Sequence, residues 1–392
     1  MKTGVRKVCN DLISLDTGFR RYDGLGDFSA VLKRDGAMEK QEKFGVFGAA
    51  LDALDLPEKV ALKQAYVRSM QNRSTVATCT GSPPEAEAVH VPGILDPYDA
   101  VKAALADEPL VSSSVEWMGK LAVESWLTPR PSVNDAGLLQ GNRYTEFLDG
   151  NGCYAYSRRV KSYLEEHVFP LRPVMIGIDH SLTGGVLQYL AAYHENANIL
   201  IFDSHTDMVD FSTKKMTLLS SPQNKRADTA CNIYECGSFI DHLLAEEVIR
   251  PDRVWILGTQ DLPDRANTKA TDAYVRKLEG WTRRGVHLIS KEELVREGIP
   301  KEIAGPTYIS IDIDVGSYAC IFACRFMDRV GLEYDEITGI LDSLGAMIKE
   351  RKISLVGMDI MEIDVHFLDR EFSGKQDCTL KIVKKIFNEL LC

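Results

Sequence analysis

The chain has 392 residues, 45% of them hydrophobic and 26% charged, enough to bury a large core in one domain or two. Its formal net charge of -11 excludes nucleic acid as the main partner, because gripping phosphates takes clustered Lys and Arg, and it suits a cationic ligand. Nine cysteines scattered over so long a chain read as free thiols in a reducing compartment, not as a disulfide framework.

The N-terminal MKTGVRKVCNDLISLDTGFRR has neither a continuous apolar region nor a small-residue cleavage site. No later apolar run reaches the length of a membrane span, so a soluble cytoplasmic protein without a membrane partner is expected. Residues 41–72 read as helical, STVATCTGSPPEAEA (74–88) as a loop, and 97–107, 114–126 and 154–167 as helices. The turn-rich stretch PRPSVNDAGLLQGNRYTEFLDGNG (129–152) is expected to fold over a sheet edge as a lid. Residues 1–165 thus form a divergent, largely helical N-terminal region, followed by a catalytic domain over 166–392.

From there the pattern is regular. Short apolar runs at 172–179, 198–203, 253–260, 286–290, 307–314 and 352–360 read as strands. Helical periods fall between and after them, near 183–195, 237–249, 268–284, 334–350 and 377–391. Alternating strands and helices predict a three-layer α/β fold, a mostly parallel sheet flanked by helices. Ligands of such sheets bind beyond the carboxyl ends of the strands.

Those ends carry the acids and histidines. GIDHS (177–181) offers Asp179 and His180, DSHTD (203–207) offers Asp203, His205 and Asp207, SIDIDV (310–315) offers Asp312 and Asp314, and GMDIMEID (357–364) offers Asp359, Glu362 and Asp364. Taken singly, each has a plain reading: Asp179 or Ser181 can cap the helix that follows, and a lone DxD is commonly a cap or an ion-pair partner. The DxHxD run is rarer, expected by chance in roughly a few per cent of chains this long. Alternation along an extended backbone would put Asp203, His205 and Asp207 on one side. Buried carboxylates need positive partners.

Two His and four Asp suffice for two divalent ions with shared carboxylates, and oxygen-rich coordination without thiolate suits Mn²⁺ better than structural Zn²⁺. Two ions roughly 3.5–4 Å apart can hold a bridging hydroxide at neutral pH.

In this order and setting, GIDHS, DSHTD, SIDIDVGSY and DIME resemble the ureohydrolase family of arginases, agmatinases and formiminoglutamases, over residues 172–392. The resemblance implies an arginase-like fold and two Mn²⁺ per chain. One ion would be held mainly by His180 and the other mainly by His205, with Asp203, Asp207, Asp312 and Asp314 shared between them. It implies hydrolysis of a guanidino group to urea and an amine, with the metal-bridging hydroxide as nucleophile and Asp207 passing the proton to the departing amine. Glu362 matches the acid that holds the guanidinium, and Asn232 falls in the substrate loop. The family also implies a homo-oligomer and a small guanidino substrate.

Departures accompany the match. Gly316, Ser317 and Tyr318 replace the family's xxDP, and the loop 229–247 has Tyr234 or Cys236 where many members carry a proton-shuttling His. His242 should lie inside a helix, which leaves His366 as a substitute shuttle beside its plain reading as a surface-loop His. The CGSFI pattern resembles peptide arginases, implying that the substrate could instead be arginine within a peptide. Two further readings compete with hydrolysis of a guanidino group: a catalytically silent binding protein, and a deacetylase with one Zn²⁺, which would not need both outer Asp residues. Cys231, Cys236, Cys320 and Cys324 lie at spacings uncommon for zinc, and they read as core residues before a metal site or redox clasp. Trp255 and Trp281 read as core.

Overall fold

A computed structural model describes residues 43–76, 94–208, 233–260, 272–326 and 330–392. Eight strands form its main sheet: β1 (Phe44–Ala49), β2 (Val115–Lys120), β3 (Arg172–Gly177), β4 (Asn198–Phe202), β5 (Val254–Thr259), β6 (His287–Ser290), β7 (Gly305–Asp312) and β8 (Ile353–Met361). Their order is β2-β1-β3-β8-β7-β4-β5-β6, and every neighbouring pair runs parallel.

Alternate residues of each central strand feed two apolar cores, as a sheet covered on both faces requires. On one face Phe47, Met175, Ile201 and Ile256 pack with α1 (Pro57–Val76) and with the helices introduced next as α4 to α8. On the other, Val46, Ile176, Phe202 and Ile311 pack with α2 (Pro97–Ala104) and with the last two long helices. The remaining helices are α3 (Pro109–Ser114), α4 (Gly141–Asp149), α5 (Gly152–Tyr163), α6 (Thr183–Ala191), α7 (Phe239–Ala245), α8 (Asp272–Arg283), α9 (Lys291–Glu297), α10 (Tyr334–Lys349) and α11 (Thr379–Leu390). Among the described residues no helix is long and apolar enough to cross a membrane.

The strands and helices expected after residue 165 are present, with ends displaced by a few residues. Two earlier expectations are corrected. Residues 41–72 do not make one helix: FGVFGA is strand β1, buried on both faces, and the helix begins only at Pro57. The segment 114–126 opens as strand β2, not a helix. Both strands lie before residue 165 yet belong to the same sheet as the later six, with β1 seated directly beside β3. In the stretch expected to be a lid, a 3-10 turn (Val133–Leu138) leads into α4. Arg130 there bonds the carbonyls of Ile94 and Val365, tying the stretch to the loop after β8.

Candidate metal centre

The carboxyl ends of β3, β4, β7 and β8 bring four acid-bearing loops together, and each loop aims its side chains by a local device. Asp179 accepts from the backbone N of Ser181 at 3.2 Å, capping the turn that carries His180. Asp203 Oδ1 accepts from the N–H of His205 at 2.6 Å, and Asp312 Oδ1 from that of Asp314 at 2.9 Å. Asp314 Oδ1 takes the Ser204 hydroxyl at 3.1 Å. With one oxygen tied to the loops in each case, the Oδ2 atoms of all three point inward.

They converge on two imidazoles. His180 Nδ1 lies 3.1 Å from Asp203 Oδ2, 2.9 Å from Asp207 Oδ2 and 3.1 Å from Asp312 Oδ2. His205 Nδ1 lies 3.1 Å from Asp314 Oδ2 and 3.5 Å from Asp203 Oδ1. Two groupings with metal-ligand spacing result, His180–Asp203–Asp312 and Asp203–His205–Asp314, joined through Asp203. All six residues predicted as ligands are thus assembled. The route differs from the expected one: β4 ends at Phe202, so a turn, not strand pleating, gathers Asp203, His205 and Asp207. Asp207 takes a positive φ of 50° to do so, a conformation that Asp tolerates better than most residues.

A hydroxyl relay sets the tautomer of His180. Ser310 Oγ donates to Asp359 Oδ1 at 2.6 Å, so its lone pair accepts from His180 Nε2 at 2.9 Å. Thr183 at 2.6 Å and Tyr308 hold the other Asp359 oxygen. With the proton on Nε2, the bare Nδ1 faces three buried oxygens, and neither it nor Oδ2 of Asp203 and Asp207 has a hydrogen-bond partner. Lone pair against carboxylate is repulsive unless a proton on Nδ1 or a metal ion stands between them, and this is how a histidine ligand is usually braced from behind. The donor set fits divalent ions.

Without metal a proton can fill that place: against burial, hydrogen bonds to Asp203, Asp207 and Asp312 hold His180 well above its ordinary value. Burial, then Asp203 nearby, pushes Asp207 up to about 8. Burial with Asp314 and Asp203 nearby holds Asp312 well above the usual carboxylate range. Burial also raises Glu362 to about 7, against the pull of Arg325.

Glu362 stands at the end of β8 with a positive φ of 63°. Its Oε1 accepts from the backbone N of His180 at 3.1 Å and from Arg325 Nη1 at 3.1 Å. Its Oε2 is buried and without a hydrogen-bond partner. Arg325, which no sequence motif marks, is 4% exposed and also reaches Asp52 at 3.2 Å and Asp179 at 3.3 Å. Asp364 leaves the cluster to pair with Lys59 at 3.0 Å.

His366 is not brought to the ligand cluster by any described bond. Its Nε2 donates to the Pro129 carbonyl at 2.9 Å, and its ring meets Tyr66 edge-on. His242 lies in α7, facing the Tyr234 ring. Asn232 and Cys231 lie outside the described residues. Cys236, Cys320 and Cys324 are buried, and Trp255 and Trp281 are buried in the core.

A parallel sheet in this order, with carboxylates and imidazoles gathered at its carboxyl edge, is an α/β framework with a candidate metal centre. The family model described as the Arginase family matches residues 105–390, and the chain belongs to that family as a divergent ureohydrolase. Agmatinase of Bacillus subtilis (strain 168) is 25% identical over 207 residues, which cover 52% of this chain and 58% of that protein. The match therefore spans little more than half of that curated relative's length. Two solved structures show the same fold. The arginase of Bacillus subtilis subsp. subtilis str. 168 has a TM-score of 0.52 and 16% identity, covering 89% of this chain and 98% of that one. Proclavaminate amidino hydrolase from Streptomyces clavuligerus has a TM-score of 0.51 and 18% identity, covering 90% and 91%.

Proposed function

We propose that this protein hydrolyses a guanidino group to urea and an amine at a two-manganese centre. The observation that carries the reading is the convergence of six candidate ligand side chains, with the buried, unpartnered Glu362 Oε2 on the loop after β8. His180, Asp203, Asp207 and Asp312 would hold one ion, and His205 with Asp314 and shared Asp203 the other. Bound there, the ions would supply the Lewis acidity that makes water a nucleophile at neutral pH.

The chain's own residues account for the rest. Glu362 offers the single oxygen Oε2 to a guanidinium, a permanently charged donor group. Water adds to the guanidino carbon, the C–N bond to the amine breaks, and Asp207 carries the proton from the water to the leaving nitrogen. Asp207 suits that transfer by position, its Oδ2 lying 2.9 Å from His180 Nδ1 within the cluster. His366 would serve as a shuttle only on leaving the Pro129 carbonyl.

The test is urea release from manganese-loaded protein across free arginine, agmatine, guanidinobutyrate and arginine-containing peptides, with metal content measured on the same sample. Urea from one of them and two manganese per chain is the expected result. One zinc with release of carboxylate from an acylated amine would replace the reading with a deacetylase. Silence on every substrate with no metal bound would leave a binding protein.

A further inference from the structure

Arg325 has no part in the chemistry above, yet it is the most heavily paired cation in this part of the molecule. Its Nε reaches Asp52 at 3.2 Å, Nη2 reaches Asp179 at 3.3 Å, and Nη1 reaches Glu362 Oε1 at 3.1 Å. Backbone bonds lock the pairing: Arg325 N donates to Glu362 O at 2.9 Å, and Asp364 N donates to Ala323 O at 3.0 Å. Asp52 is anchored in turn by Lys63, 2% exposed, whose Nζ lies 3.1 Å from Asp52 Oδ2 and 4.8 Å from the Tyr144 ring centre. Three carboxyl groups thus face two cations in a buried network. The single carboxylate oxygen of that network with no hydrogen-bond partner is Glu362 Oε2.

We propose that Arg325, anchored by Asp52, is a positioning residue that fixes Glu362 through Oε1 and so presents Oε2 alone to an incoming guanidinium. The inference rests on the guanidino reading above. Fixing one oxygen has two effects. Glu362 is held from rotating toward the candidate ligands, and the substrate is gripped through one oxygen. A lysine cannot replace this arginine, because one ammonium cannot span three carboxylates that a planar fork reaches together.

The test is calorimetric titration of n-butylguanidinium into the manganese-loaded protein, with metal content measured alongside, for the parent, Arg325→Lys, Glu362→Gln and the double variant. Arg325→Lys should weaken binding at least about tenfold while metal content holds, since a buried charge pair loses its partner geometry. The double variant should bind no more weakly than Glu362→Gln alone, because Arg325 acts through Glu362. Losses that add, or a parent-like Arg325→Lys, would overturn the positioning role and leave the guanidino reading standing. A metal-loaded parent that fails to bind the probe would overturn both. If Arg325→Lys does not fold, Asp52→Asn takes its place, with a smaller loss in the same direction and the same non-additivity.

Discussion

Ser310 bonds the candidate ligand His180, and its hydroxyl is what keeps that imidazole's proton on the far nitrogen. Ser310→Ala should therefore lower metal affinity by about 10–100-fold with little change in the fold. Competition against a metal indicator dye measures this, and an unchanged dissociation constant would mean that the tautomer is set otherwise. At this scale the clustering of the candidate ligands is legible in the sequence. Asp203, His205 and Asp207 sit within five residues, and the signal survives whichever local backbone gathers them. The partners of Glu362 are not legible. Arg325 and Asp52 are 273 residues apart, and neither lies in a run with any chemical pattern. Only folding makes them neighbours.

Among the elements, β1 escapes a reading by pattern because FGVFGA looks too short and too rich in glycine to hold a strand. The glycines answer to their neighbours. A Cβ on Gly48 would stand 2.7 Å from Tyr98 Cβ and 2.9 Å from Lys120 Cγ. Helix α2 lies against the strand at that point, as Tyr98 in the apolar core beside Val46 shows. Gly→Ala at an open position gains about 0.4–1 kcal/mol from the unfolded chain. Here overpacking against a Cβ that has no rotamer escape costs about 1–3 kcal/mol, so the sign reverses. Gly48→Ala should lower Tm, and a rise in Tm would show that α2 yields without cost. The later strands are legible for the opposite reason. Runs such as NILIF and SLVGMDIM are nearly continuous apolar segments, the mark of a strand buried on both faces.

For the molecule as a whole, the candidate metal centre bears on stability in both directions. Without metal, folded Asp207 keeps its proton up to about 8, whereas the unfolded chain loses it near 3.8, the ordinary value for an Asp. The unfolded state then binds fewer protons than the folded one, so stability falls as pH climbs through that window. Metal binding needs the ionised carboxylates and offsets the loss by mass action. Chelated protein should thus show a Tm that declines between those two values, and manganese should raise Tm by an increment that grows with pH. An increment independent of pH would separate Asp207 from the metal.

Strand β8 lies between β3 and β7, although it is the last strand of the sheet to be made. A ribosome therefore releases β2, β1 and β3 as one partial sheet and β7, β4, β5 and β6 as another, each ending in an unpaired edge. Only the late arrival of β8 joins them, and the same strand delivers Glu362 beside His180. During synthesis the nascent chain must keep two apolar edges from pairing with other chains, so this protein's yield in a cell depends on how long that gap stays open.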